Sequence, residues 1–207
     1  MSQIFWRQRD DARRFAPCLF LDRDGVVVEE IGYLHRPEDV QVLPGAAATI
    51  AAARSRGFAV GLVTNQAGIG RGYYDWNDFA AVQRTIADQL ALGDEPFDFV
   101  AACAAHPQAS HDCMRIADHA WRKPNFGMLK MAETSLSLDV ANSIMVGDQL
   151  TDLQAGLAAG VAKVVHVRTG HGAEARPGVE AFAQASANPA ILLTESLGEA
   201  PRALGWT

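Results

Sequence analysis

Two aspartates stand two positions apart in the run FLDRDGVVVEE. Asp22 and Asp24 follow a short apolar stretch, and strand periodicity would turn both side chains to the same side. Like charges at that separation repel, so such a pair shares a proton or a divalent cation, and oxygen ligands suit Mg2+. In parallel α/β sheets, ligands gather at the carboxyl ends of strands, where this pair falls. Taken alone, the two residues are better read as a solvated turn in which Gly25 supplies a positive φ. An EF-hand is excluded, because its loop needs glycine sixth and here glycine is fourth.

Three later segments add candidates of other types. In VTNQAGIGRGYY, Thr64 and Asn65 end an apolar run and are followed by Gly68, Gly70 and Gly72. Small donors on a flexible backbone suit an oxyanion. Tyr73 occupies the position of the third glycine of a dinucleotide fingerprint, and no GxxxxGK[ST] phosphate loop is present. In WRKPNFGML, Lys123 offers a compact cation for phosphate oxygens, and Arg122 can grip a second oxyanion with two parallel bonds. In MVGDQLTDLQAG, Asp148 could complete a cation site with the first pair, while Asp152 suits a helix N-terminus. Singly, each segment also reads as ordinary punctuation: glycines ending a strand, or an Arg-Lys pair on a solvated surface.

The elements that must position these residues are legible in the apolar pattern. Short β-branched or aromatic runs predict strands at Cys18–Leu21, Phe58–Val63, Phe97–Ala102, Ser143–Val146 and Lys163–Val167. Between them, Phe79, Val82, Ile86 and Leu90 share one helical face after caps offered by Asp75 and Asn77. Further helices are predicted from Ala46 to Arg56, through Leu150, Leu153 and Leu157 to Gly160, and after WRKPNFGML. This alternation predicts a Rossmann-like α/β domain, a parallel sheet with helices on both faces. Residues 1–16 read as an N-terminal extension, and the tail after Thr169 is less patterned.

Composition narrows the function classes. At 207 residues, with 49% hydrophobic and 20% charged side chains, the chain fits one globular domain spanning residues 1–207. A net charge of −6 gives no broad positive field for nucleic acid or anionic lipid, so any anionic ligand must be held by local donors or a metal, which favours a small, buried site. Three scattered cysteines fit a reducing cytoplasm, and no apolar run approaches membrane-spanning length.

Taken in order, DRDGV, VTNQAGIGRG, RKPNFGM and VGDQLTD resemble the four motifs of the haloacid dehalogenase-like (HAD) phosphatases, over Leu19 to about Gly160. The wording TNQAGIGRGYY and RKPNFGML is similar to that of the heptose 1,7-bisphosphate phosphatases and the related histidinol-phosphatase domains. The resemblance implies that Asp22 is the nucleophile that forms an aspartyl-phosphate, and Asp24 the acid and base. It further implies Mg2+ held by the Asp22 carboxylate, the Asp24 backbone carbonyl and Asp148, with Thr64 and Lys123 holding the phosphoryl oxygens and Asn65 helping. Arg122 would recognise the remainder of the substrate. Gln149 departs from the lysine common in the heptose enzymes, and Val28 and Glu30 stand where asparagine and aspartate are usual, whereas Gly32 and Tyr33 match the substrate loop. A heptose bisphosphate is the expected substrate. The nearest alternative is histidinol phosphate, and a different class would be an idle phosphosugar-binding module.

The stretch between Asp22 and Thr64 is too short for a cap domain, so residues 103–121 become the expected lid and specificity element. They carry Cys103, His106, His111, Cys113 and His119. Related phosphatases bind zinc here, but Ala105, His119 and Trp121 replace expected ligands. A rearranged mixed N/S site from Cys103, His106, Cys113 and His119 is the alternative to the expected zinc-free polar loop.

Overall fold

The computed structural model describes residues 2–93, 95–186 and 190–206. Among these residues, seven strands form one sheet in the order β1-β4-β3-β2-β5-β6-β7. Six are parallel: β2 (Cys18–Leu21), β3 (Ala59–Asn65), β4 (Phe99–Cys103), β5 (Ile144–Gly147), β6 (Lys163–His166) and β7 (Ile191–Leu193). The edge strand β1 (Ile4–Gln8) is antiparallel to β4. The five expected strands are all present, shifted by at most two residues at either end.

The CLFL run of β2 shows why its residues are apolar without alternation. Leu19 and Leu21 enter one buried cluster, under α1 (Ala46–Ser55) and α3 (Trp76–Leu90), whereas Cys18 and Phe20 enter the other. That second layer is covered by α4 (Gly127–Leu136), α5 (Leu150–Ala159) and α6 (Gly172–Ser186). A strand covered on both faces has no solvated side on which to place polar residues. Two single-turn helices, α2 (Ala67–Gly70) and α7 (Ala200–Ala203), complete the set. From β2 the chain steps to β3 and β4 on one side, then crosses to β5 on the other. This reversal opens a crevice at the carboxyl end of β2.

Local signals act as expected in α3 and α5. Phe79, Val82, Ile86 and Leu90 are buried, and Asp75 accepts the Asn77 and Asp78 amides while the Asp78 side chain accepts that of Asp75. Asp152 plays the same part in α5, accepting the Gln149 amide at 2.9 Å, and the helix ends in Gly160 at φ 86°.

Two expectations need correction. The first residues are not a bare extension, because β1 is a strand of the sheet. Its aromatic side chains reach both faces, with Phe5 against Trp76 and Phe79, and Trp6 stacked on Phe99 at 5.3 Å. Charged neighbours dilute this pattern in the sequence, and only the aromatic surface beneath it makes the strand favourable. The tail after Thr169 is likewise structured, supplying α6, β7 and α7. Residues 1, 94, 187–189 and 207 of the expected domain lie outside the described residues. No described helix is long and apolar enough to cross a membrane.

Candidate active site

The crevice is floored by residues whose backbones are fixed by the sheet. Asp22 extends β2 by one hydrogen bond, its amide donating to Val146 O at 3.0 Å. The chain then turns at Gly25, φ +76°, where a Cβ would stand 2.5 Å from Asp148 Oδ2. At the end of β5, a Cβ on Gly147 would stand 2.1 Å from the Asp152 Cβ. Glycine at these two points is what lets three carboxylates converge.

Lys123 is the hub of the floor. Its ammonium lies 2.6 Å from Asp152 Oδ1 and 2.9 Å from Asp22 Oδ1, the latter an ion pair without hydrogen-bond alignment. Asn65 positions it, since the Lys123 amide donates to Asn65 Oδ1 at 3.0 Å and Asn65 Nδ2 donates to Lys123 O at 3.2 Å. One hydrogen of that Nδ2 remains for the cleft. Burial opposes the Lys123 charge, but Asp152 and Asp22 outweigh it and hold its pKa above the usual lysine value. Asp152, expected only to favour a helix N-terminus, thus also carries the buried lysine.

Oxygens of Asp22, Asp148 and Asp152 lie within 4.8 Å of one another. Asp148 Oδ2 accepts the His171 amide at 2.8 Å, whereas Oδ1 is buried without a partner. Burial, then the charges of Asp22 and Asp152, push the Asp148 pKa up to about 8. The cleft above, about 450 Å³, is lined by five carboxylates against three lysine or arginine cations. A phosphate entering such a site meets repulsion unless a divalent cation offsets it, and an all-oxygen donor set with an unpartnered carboxylate oxygen fits Mg2+.

Asp24 sits in a network that sequence reasoning missed. Arg23, only 1% exposed, forms a 2.9 Å ion pair with Asp24 through Nη2 and lies over the Phe79 ring at 5.3 Å. Gln66 and Tyr74 extend the network towards Thr64, which is buried at the end of β3. An arginine between two aspartates looks solvated in sequence. Its burial depends on the distant Phe79 face and the Leu34 carbonyl.

The mouth is looser. Arg122 Nη1 donates to Ala105 O at 3.0 Å, and its guanidinium has no carboxylate partner among the described residues. Arg71 donates to the Tyr33 hydroxyl and to Gln108 Oε1, and its Nη2 lies 3.3 Å from His106 Nε2. On the opposite rim, Glu30 Oε2 lies 3.9 Å from His171 Nε2. Burial and then the Asp24 charge raise the Glu30 pKa. The 103–121 segment is tied to α2 by Ser110 N donating to Gly70 O at 2.8 Å, and Met114 is buried beneath it. Cys103 Sγ and His119 Nδ1 are 3.5 Å apart, while Cys113 is exposed and His106 turns to Arg71. Among the described residues, the only metal-type cluster of three is the aspartate set.

Residues 120–200 match the HAD-hydrolase-like family model. A D-glycero-beta-D-manno-heptose-1,7-bisphosphate 7-phosphatase of Mesorhizobium japonicum is 42% identical over 161 residues, 76% of this chain and 74% of that protein. The enzyme of the same name from Photorhabdus laumondii is 36% identical over 91% of this chain and 95% of its own. The chain belongs to the HAD-like phosphatases. Among solved structures, the phosphatase is similar to the D,D-heptose 1,7-bisphosphate phosphatase of B. bronchiseptica complexed with magnesium and phosphate. That match has a TM-score of 0.74 at 29% identity and covers 91% of this chain and 97% of the other.

Proposed function

We propose that this HAD-like phosphatase hydrolyses one phosphomonoester of a heptose 1,7-bisphosphate with Mg2+. The observation that carries the reading is the convergence of Asp22, Asp148 and Asp152 around the buried Lys123, with Asp148 Oδ1 left unpartnered. Asp22, the Asp24 backbone carbonyl and Asp148 would hold the metal, which when bound neutralises charge between the nucleophile and the phosphate. The Asp22 carboxylate attacks phosphorus as the ester P–O bond breaks, and Asp24 gives its proton to the leaving alkoxide. Asp24 then takes a proton from water, whose oxygen attacks the aspartyl-phosphate and releases Asp22 and inorganic phosphate. Thr64, Lys123 and the free Asn65 hydrogen hold the phosphoryl oxygens. Arg122 reads a remote anionic group, and the 103–121 segment that orients it through Ala105 acts as the specificity element.

The names of the relatives favour the heptose bisphosphate over histidinol phosphate. The test compares kcat/KM for the two substrates and for an aryl phosphate, with and without Mg2+, alongside thermal melting. The bisphosphate is expected to be preferred, chelation to abolish turnover, and Mg2+ to raise the Tm of the wild type but not of Asp148→Asn. Full turnover in metal-stripped protein would overturn the metal assignment. Preference for histidinol phosphate would overturn the substrate.

A further inference from the structure

Gln66 stands two residues after Thr64, is 2% exposed, and has every hydrogen-bonding direction engaged. Its Oε1 accepts from the Tyr74 hydroxyl at 2.6 Å and from Arg23 Nη2 at 3.2 Å. Its Nε2 donates to Asp24 Oδ2 at 3.0 Å and to Thr64 Oγ1 at 2.9 Å. The reverse amide orientation is closed off. It would aim NH2 at a guanidinium that has no lone pair, and an oxygen at the Asp24 carboxylate. Arg23 therefore sets which end of Gln66 faces the cleft.

The consequence falls on Thr64. A threonine hydroxyl beside a carboxylate ordinarily donates to it, but here the Gln66 NH2 stands between them and offers a hydrogen to each. Thr64 Oγ1 is thus an acceptor on its inner side, and its own hydrogen meets no acceptor among the described residues. Thr64 lines the cleft, so that hydrogen is left for a ligand there.

We infer that Arg23, Gln66 and Tyr74 form a positioning relay that orients the Thr64 hydroxyl as a donor to the phosphoryl group and holds Asp24 beside it. The inference rests on Thr64 as a phosphate-binding residue, as proposed above. None of the three residues needs to touch phosphate. Their effect is preorganisation, because the hydroxyl no longer has to turn from a competing acceptor when the substrate arrives.

A double-mutant cycle tests the relay, with inorganic phosphate as competitive inhibitor of aryl-phosphate hydrolysis in Mg2+. Gln66→Met removes the amide without adding charge, and is expected to raise both the inhibition constant and KM roughly tenfold. Tyr74→Phe, the gentler change in case Gln66→Met folds poorly, is expected to raise them about two- to fivefold. In a Thr64→Val background, both effects should shrink to within about twofold, because the group being oriented is gone. Equal effects in the two backgrounds, or none in either, would overturn the relay while leaving the phosphatase reading intact. A wild type that neither turns over the aryl phosphate nor binds phosphate would overturn that reading, and the relay with it.

Discussion

On the floor of the cleft, Asp22 and Asp148 directly follow strands β2 and β5, Asp152 stands in the first turn of α5 and Lys123 in the turn that precedes α4, and all four are almost wholly buried. At the mouth, Arg122, Arg71, Tyr33 and His171 hang on loops and remain partly or largely exposed. The floor is over-determined, since Lys123 answers two carboxylates, Asn65 clamps its main chain, and His171 N fixes Asp148. Each mouth residue is held by a few polar contacts to other loop groups. A buried ionic cluster tolerates little movement, because each charge depends on its partners in a low dielectric. An exposed rim can change identity at small cost to the fold. Of the departures from the heptose-enzyme wording noted in the sequence, Glu30 and Gln149 line the cleft, whereas Val28 is fully buried in the core beneath it.

The contrast can be broken most severely at the nucleophile. Asp22→Asn keeps the shape but cannot form the acyl phosphate, so turnover should fall by at least roughly a thousandfold with the circular dichroism spectrum unchanged. Near-normal kcat in protein free of wild-type contamination would remove Asp22 from its role.

Lys123→Met should break the floor as a structure. It leaves Asp152 and Asp22 without their shared cation and is expected to cost about 3 to 5 kcal/mol in urea unfolding. The matching mouth change, Arg122→Met, is expected to cost less than about 1 kcal/mol. A small loss for Lys123→Met would mean that the carboxylates neutralise themselves.

Acid should loosen the floor through His166. This side chain is fully buried behind Asp148, its Nε2 donating to Asp148 O at 2.9 Å, and its Nδ1 has no partner. Burial, then the Arg176 charge, lowers its pKa from 6.5 to about 4. Below pH 6.5 the unfolded chain binds a proton that the folded chain refuses, so this group's contribution falls with pH and levels off near pH 4. The loss amounts to about 3 kcal/mol. Urea midpoints between pH 7 and 4 measure it, and His166→Gln should flatten that part of the slope; an unchanged slope would refute the assignment.

The smallest expected effect sharpens the comparison at the mouth. Arg122→Ala should lower kcat/KM for the bisphosphate by ~1.5 to 3 kcal/mol, roughly ten- to hundredfold, and for an aryl phosphate much less. Equal losses on both would move Arg122 to the reacting phosphate, and no loss on either would return it to the solvated surface.

Local patterns determined a good part of this protein. The five central strands, the cap and face of α3, the glycine stop of α5 and the placing of Asp22, Thr64 and Asp148 at strand ends, with Lys123 shortly before a helix, all follow from residue type and short-range spacing. These signals are readable because strand and helix periods, capping and glycine's φ freedom act within a few residues. The tertiary structure alone decided that β1 joins the sheet, that Arg23 is buried on Phe79, that Asp152 neutralises Lys123, and that Gln66 stands between Asp24 and Thr64. In each case a partner comes from far along the chain, with the Gln66–Thr64 contact, two residues apart, as the exception. A charged or polar side chain carries no mark of whether water or a distant carboxylate will meet it. Only packing removes the water, and with it the choice.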